Sequence, residues 1–314
     1  MLDSFGRDIT YLRVSVTDLC NLRCKYCMPD GVCQLNHRDI LSFEEITEIV
    51  TAAAKLGVRK VRVTGGEPLV RKDCVKLCAM LAAVPGIEHI ALTTNGLLLP
   101  KYAAELKAAG VDRVNISLDS LNAEKYKQIT GGGDLRQALD GIAAAQKYGL
   151  TPIKLNAVLI GGFNDDEIPA FVEMTRNAPI EMRFIEVMPM GGHFGKDAYL
   201  PGDTVLQRVP ELRQIPDNDG VARLYRLPDG EGRVGLISAV SRHFCATCNR
   251  LRLTSEGSLK PCLHSSTEIP VRGLHGDELE QALREAILGK PKMHGQLDAE
   301  HASEAGRAMN TIGG

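Results

Sequence analysis

Between residues 10 and 190, six strand-like runs alternate with five helix-like runs, and few folds accept such a chain. The strand-like runs are 12–17, 58–63, 89–94, 111–118, 153–160 and 181–187. Helix-like runs cover 42–56, a stretch ending near 84, then 100–109, 135–148 and 165–177. Ser42 with Glu45 three residues on makes a capping box, and Gly57 follows that helix. Six β-α units in series predict a parallel sheet with right-handed crossovers. The fold class is α/β, read as an incomplete (β/α)6 TIM-like barrel over residues 1–190. A doubly wound open sheet fits the same alternation. From 189 to about 220 the alternation stops, and residues 190–195 read as a loop. Residues 191–314 form a C-terminal, partly β region. Strands are expected at 221–227 and 233–240 around the turn Pro228-Asp229-Gly230, with a helix at 278–288 and an unstructured tail from 307.

The expected strands carry polar residues at every second position. Strands buried on both faces of a parallel sheet normally read as continuous apolar runs. Here Arg13 and Ser15 oppose Val14 and Val16, and Arg62 and Thr64 oppose Val61 and Val63. Thr93 pairs with Asn95, while Asn115, Ser117 and Asp119 oppose Val114, Ile116 and Leu118. Lys154 and Asn156 oppose Ile153 and Leu155. Side chains alternate between the two faces of a strand. If helices cover the apolar face, the polar face lines the interior. A closed barrel fills that interior with branched apolar side chains. Each polar pair alone also fits a locally satisfied core, but five in phase point to a wet, cationic cavity gapped for a large ligand. Arg13, Arg62 and Lys154 put positive charge where a polyanion would bind.

Directly after the first strand come Cys20, Cys24 and Cys27, spaced C-x3-C-x2-C, with Tyr26 between the last two. Three thiolates at this spacing can hold three irons of a 4Fe–4S cube and leave the fourth without a protein ligand. Together with His37 they also match a structural Cys3His zinc site. Nine cysteines, an odd number, argue against a disulfide framework, and no secretory pattern precedes them. No apolar run is long enough for a bilayer. The expectation is a cytoplasmic protein. Its net charge of −2 excludes a general pull toward nucleic acid or membrane.

A second group, Cys245, Cys248 and Cys262, lies in the C-terminal region. With His243 or His264 it reads as a zinc ribbon; without them it reads as a second three-cysteine cluster site. Arg250 and Arg252 share one face of a short strand beside it. A structural zinc site has no need of that strip. At the end of strand two, Thr64-Gly65-Gly66-Glu67-Pro68 reads on its own as a turn.

Taken together, these motifs resemble the GTP 3′,8-cyclase family of molybdenum cofactor biosynthesis, within the radical S-adenosylmethionine superfamily. The resemblance runs from Tyr11 to Gly314. It rests on T-D-L-C-N-L-R-C-K-Y-C-M-P, V-R-V-T-G-G-E-P-L, T-T-N-G, N-I-S-L-D-S-L, K-L-N-A-V, R-F-I-E-V-M-P, F-C-A-T-C-N-R-L-R-L and the closing I-G-G. One departure is Gly131-Gly132-Gly133, where the family has a more polar loop; it reads as surface variation. Cys33, Cys74 and Cys78 fall outside the motifs and read as ordinary thiols.

The resemblance implies two 4Fe–4S clusters and S-adenosylmethionine as cofactors. Cys20, Cys24 and Cys27 would hold the radical-generating cluster, and Cys245, Cys248 and Cys262 a second one meeting the guanine. Tyr26, Gly66, Ser117 and Met188 would contact S-adenosylmethionine. In the superfamily the T-G-G-E-P motif holds its amino group through backbone oxygens and a carboxylate. Arg13, Arg62, Thr93, Lys154, Arg250 and Arg252 would bind GTP, and Gly313 and Gly314 would enter the active site. A deoxyadenosyl radical would take the ribose C3′ hydrogen, the carbon radical would add to C8, and reduction would give (8S)-3′,8-cyclo-7,8-dihydro-GTP. Implied partners are GTP, a cellular reductant and, downstream, cyclic pyranopterin monophosphate synthase. The chain is expected as a monomer or homodimer without nucleic-acid or membrane partners. The rival readings are a radical enzyme acting on a peptide and a zinc-stapled binding module.

Overall fold

The computed structural model describes residues 1–28, 35–190, 198–216, 221–298 and 301–313. Cys33, Gly314 and residues 191–195 of the expected loop lie outside them. The six expected strands form: β1 Tyr11–Ser15, β2 Lys60–Thr64, β3 His89–Thr94, β4 Val111–Ser117, β5 Lys154–Leu159 and β6 Glu181–Glu186. They pair in sequence order, all parallel. The strands beyond residue 190 continue this sheet at both edges. β9 (Arg233–Ile237) runs parallel beside β6, and β10 (Arg250–Leu253) runs parallel beside β1. Antiparallel strands finish each side: β8 (Arg223–Arg226) and β7 (Arg213–Ile215) outside β9, β11 (Ser258–Lys260) and β12 (Ile269–Pro270) outside β10. Among the described residues no ladder joins β7 to β12, so the sheet stays open as an incomplete barrel.

The helices cover the apolar strand faces. Leu12, Val14, Val61, Val63, Leu92, Val114, Ile116, Leu155, Met182 and Phe184 belong to one core with Ile46, Ile49 and Val50 of α1 (Phe43–Lys55) and Leu77 and Leu81 of α2 (Cys74–Ala82). The capping box forms, with the Glu45 amide donating to Ser42 Oγ and the Ser42 amide to the Glu45 carboxylate. α3 spans Leu99–Ala108 and α5 spans Leu135–Lys147. Among the described residues no helix is long and apolar enough to cross a membrane.

Four expectations change. A helix the reading passed over, α4 (Ala123–Thr130), follows β4. Asn122 caps it through the Glu124 and Lys125 amides, and left-handed Gly131 ends it. The three glycines are therefore more than a surface detail. The Arg23 and Lys25 amides donate to the last carbonyls of α4, and a Cβ on Gly131 would stand 2.8 Å from the Arg23 oxygen. The helix expected at 165–177 contracts to α6 (Ile168–Glu173), because the Thr175 hydroxyl and amide both turn back to Val172 and Pro179 lies ahead. β9 stops at Ile237 because the Ala239 amide turns back to the Ile237 carbonyl, and the Val240 and Ser241 amides then donate to the buried Glu186 carboxylate and not to a ladder. The tail read as unstructured contains a short helix, α9 (Met309–Ile312), with Asn310 and Ile312 buried. α7 (Thr204–Arg208) and α8 (Gly276–Leu288) complete the chain.

Candidate active site

The first three cysteines sit on the loop after β1, over the C-terminal ends of its neighbours, where barrel sites assemble. The Gly66 and Glu67 amides donate to the Thr17 and Leu19 carbonyls, both at 2.8 Å. A Cβ on Gly66 would lie 2.7 Å from the Asp18 oxygen and nearer still to that of Leu19, so only glycine lets the two loops touch. Asn95, past β3, donates to Asn21 Oδ1 (2.7 Å) and to Cys20 Sγ (3.9 Å). Tyr26 donates its hydroxyl to Asp119 (2.7 Å), just past β4, the strand that Ser117 ends. The Glu67 carboxylate is fully buried and is occupied by the Thr94 hydroxyl and the Asn95 and Leu69 amides. Burial lifts its pKa to about 7, and that of Asp119 to about 6. Burial likewise pushes the three thiols up, Cys27 to about 12. The Glu67 charge adds to this at Cys20, and the Asp119 charge at Cys24 and Cys27. Thiols in such surroundings keep their protons unless a metal cation replaces them, which suits a metal centre.

Below this loop lies a cavity of about 240 Å³. Arg252 on β10, Arg13 on β1 and Arg62 on β2 are register partners on adjacent strands, all buried and all lining it. Burial and mutual repulsion pull their pKa values down, to about 9 for Arg13 and Arg62 and about 10 for Arg252, so all remain charged near neutrality. Burial would raise the Tyr11 phenol, but the charges of Arg62, Arg13, Arg250 and Arg113 outweigh it and draw it below its ordinary value. Lys154 is lowered to about 8, first by burial and then by Arg183, against the pull of Glu181. That one carboxylate serves Lys154 (3.1 Å), Arg183 and Arg233 (3.1 Å). Several buried polar atoms in or beside the cavity lack a hydrogen-bond partner: Tyr11 Oη, Arg62 Nε, Thr93 Oγ1, Arg113 Nε, both amide atoms of Asn115 and Asn156 Oδ1. Buried polar groups are normally satisfied. Here the surplus is of donors and positive charge, the complement of an anion rich in acceptors.

Cys245, Cys248 and Cys262 line the same cavity, with Met188, Arg250 and Arg252. Their surroundings are cationic. Burial raises Cys248, yet Arg250 and Lys290 bring it down to about 7, and His294 lowers Cys245 in the same way. Ligand atoms of His243, Cys245 and His294 lie within 4.8 Å of one another. Thiolates are the form that binds metal, so this triad also fits a cluster or a metal ion. His264, the other histidine considered, gives Nδ1 to a contact with Ser303 Oγ at 3.0 Å.

The chain end closes the space between the triads. Asn310 donates its side-chain amide to the Asp18 carbonyl at 3.1 Å, and its backbone amide to Cys27. Arg252 donates to the Ile312 carbonyl (3.2 Å) and to that of Gly313. Gly313 has φ +71, and a Cβ there would collide with Thr64 Oγ1. Gly314 lies outside the described residues.

The cavity thus gathers Arg13, Arg62, Lys154, Met188, Arg250, Arg252 and the second triad. Tyr26, Gly66, Ser117 and Thr93 lie on or beside the loops and strand ends over it. Sequence reasoning missed Tyr11, Lys60, Arg113, Arg183 and Lys290, all of which line it. Tyr11 and Arg113 could have been found by extending the polar period one step back along β1 and β4, and Arg183 by applying it to β6. Lys290 carried no periodic signal.

Residues 14–175 match the Radical SAM superfamily, and residues 180–296 match Molybdenum Cofactor Synthesis C. The chain is 50% identical over its whole length to the whole GTP 3′,8-cyclase of Alkaliphilus oremlandii, and 47% identical, again end to end, to that of Moorella thermoacetica. It belongs to the GTP 3′,8-cyclase family. Membership makes it a radical SAM enzyme, with the 4Fe–4S cluster and S-adenosylmethionine which that superfamily implies, and it removes the zinc-stapled binding module. Streptococcus suis SuiB bound to S-adenosylmethionine shares the fold, with a TM-score of 0.62, 15% identity, and coverage of 88% of this chain and 68% of that one. So does anSMEcpe with bound AdoMet, with a TM-score of 0.58, 14% identity and 91% and 84% coverage. SuiB has also been solved with a precursor peptide. The fold is therefore shared by proteins that have little of this chain's sequence.

Proposed function

We propose that this enzyme converts GTP to (8S)-3′,8-cyclo-7,8-dihydro-GTP, the first step of molybdenum cofactor biosynthesis, with GTP held in the cavity between the two cysteine triads. The row Arg252–Arg13–Arg62 carries the reading. Three buried guanidiniums in register repel one another, and a triphosphate threaded among them turns that repulsion into charge-assisted hydrogen bonds. Arg250, Lys154 and Thr93 complete the grip. Cys20, Cys24 and Cys27 would hold one 4Fe–4S cluster, and Tyr26, Gly66, Ser117 and Met188 would border the place for S-adenosylmethionine. Bound there, cluster and S-adenosylmethionine supply a carbon radical able to take a ribose hydrogen. Cys245, Cys248 and Cys262 would hold a second 4Fe–4S cluster in the same cavity. The cations fix the ribose beside the first loop, and α9 with Gly313 and Gly314 shuts out water. Electrons come from a cellular reductant, and product passes to cyclic pyranopterin monophosphate synthase. The enzyme works in the cytoplasm as a monomer or homodimer, without nucleic-acid or membrane partners.

The test is anaerobic: reduced, reconstituted protein with S-adenosylmethionine, with and without GTP, and 5′-deoxyadenosine quantified. GTP-dependent formation with a cyclised product supports the reading. Formation indifferent to GTP overturns the substrate assignment. One observation favours a second reading of the second site alone: the His243–Cys245–His294 trio has donors suited to zinc. Iron and zinc analysis of a Cys24→Ser variant separates the two, because the second triad is then the cluster site left intact.

A further inference from the structure

The three segments bearing the second triad are stapled by two buried cations far from it in sequence. Near the N-terminus, Asp3 and Arg7 form a buried ion pair at 2.6 Å, with side chains 0% and 6% exposed. Asp3 also accepts the Phe5 and Arg7 amides at 2.9 Å, which closes a tight turn on Gly6. That fixes the guanidinium, whose other nitrogens reach across the molecule. Nη1 donates to the carbonyls of Cys245 (2.8 Å) and Lys292 (3.1 Å), and Nη2 to that of Pro291 (2.8 Å). Lys290 continues the chain of contacts. It is 3% exposed, and Nζ donates to the carbonyls of Arg250 (2.8 Å) and Pro261 (2.6 Å). Arg250 lies two residues past Cys248, and Pro261 directly precedes Cys262. Each cysteine is thus within two residues of a carbonyl held by Arg7 or Lys290.

The charge on Lys290 needs an explanation. A buried ammonium is costly unless an anion compensates it. Among the described residues no carboxylate pairs with Lys290. The cavity it lines contains Cys248 and Cys262. The counter-charge left for it is the cysteine site itself, once occupied.

We propose that Arg7 and Lys290 are positioning residues for the second iron–sulfur cluster. Arg7 locks the Cys245 turn to the 290–292 segment. Lys290 locks the strand after Cys248 to the turn before Cys262, and its charge raises the potential of the cluster. The inference rests on the two-cluster reading above. Orientation of ligands by groups behind them is general in metal sites, and charge and hydrogen bonding near the sulfurs set cluster potentials.

The test uses the full chain in a Cys24→Ser background, so that the second cluster is read alone. Lys290→Met, Lys290→Arg and Arg7→Lys are reconstituted anaerobically beside their parent. Iron content, loss of iron to a chelator and the cluster's reduction potential are measured. The parent is expected to hold about four irons per chain. Lys290→Met should move the potential to a more negative value and shed iron several-fold faster, and Lys290→Arg should restore the potential. Arg7→Lys keeps the charge but cannot fork to three carbonyls, so it should shed iron faster with the potential little changed. Equal potentials and equal iron loss in parent and variants would overturn the inference. A parent without iron would overturn the two-cluster reading itself, and that outcome is visible before any variant is made.

Discussion

The two cysteine triads offer the same ligands in opposite fields. Cys20, Cys24 and Cys27 lie beside the buried carboxyl groups of Glu67 and Asp119, and the thiols are driven up. Cys245 and Cys248 lie beside His294, Arg250 and Lys290, and are drawn down despite burial. Reduction adds negative charge to a cluster. Negative neighbours therefore make the potential more negative, and positive neighbours raise it. On the proposed reading, the first site would suit a cluster that gives up an electron, and the second one that shares its cavity with an anion. One protein can do both because the loop after β1 draws its surroundings from the tops of β2 to β4, while the second triad sits where β10 and the 290–292 segment bring in cations.

Breaking each triad separately gives the largest expected effect. Cys24→Ser should abolish 5′-deoxyadenosine formation altogether. Cys248→Ser should retain S-adenosylmethionine cleavage and lose cyclised product. Loss of cleavage in both would remove the division of roles. Deleting Gly313 and Gly314 should likewise abolish turnover while both clusters remain, as iron analysis would show. Next comes the arginine row. Arg62→Met should weaken GTP binding by roughly 10–100-fold, the worth of a charged hydrogen bond of about 1.5–3 kcal/mol. Relief of repulsion should leave the GTP-free protein as stable or about 1 kcal/mol more stable. Calorimetric titration and thermal melting read the opposite signs. Third, electrochemistry on Cys24→Ser and Cys248→Ser should place the first cluster at the more negative potential, and the reverse order would break the comparison.

The smallest effect is in pH. Lys154 titrates near 8 in the GTP-free fold, against an ordinary value of 10.5. Phosphate needs the ammonium form, so GTP affinity should fall a few-fold as pH rises past 8, and Lys154→Arg should flatten that fall. Stability moves the other way. Between about 8 and 10.5 Lys154 binds fewer protons in the folded chain than in the unfolded one, so its titration by itself adds stability to the GTP-free protein over that window as pH rises. Melting curves across the window check the sign.

Much of this site was legible in the sequence because a period of two survives folding. Arg13, Arg62, Lys154 and Asn156 face one cavity for the same reason that Val14, Val61 and Leu155 face the helices. The capping box at Ser42 was equally local. What stayed hidden depended on contacts between distant parts of the chain. That β10 lies against β1, and β9 against β6, follows from no local pattern. The tail helix is four residues long and gains its order from Asn310 on the first loop and Arg252 on the chain end. No local pattern marks Arg7 or Lys290, whose carbonyl partners lie far away in the chain. The Glu67 carboxylate is committed to backbone amides and a hydroxyl, a use that spacing does not reveal.

The pairing of β10 with β1 also sets an order of birth. Thr10 and Asn249, hydrogen-bonded beside that ladder, are 239 residues apart in the chain. While the chain is being made, the outer edge of β1 waits unpaired through most of synthesis, and open edges invite wrong partners. The contact of Asn310 with the Asp18 carbonyl spans 292 residues, so the first cysteine loop likewise waits for a distant segment before its cover is complete.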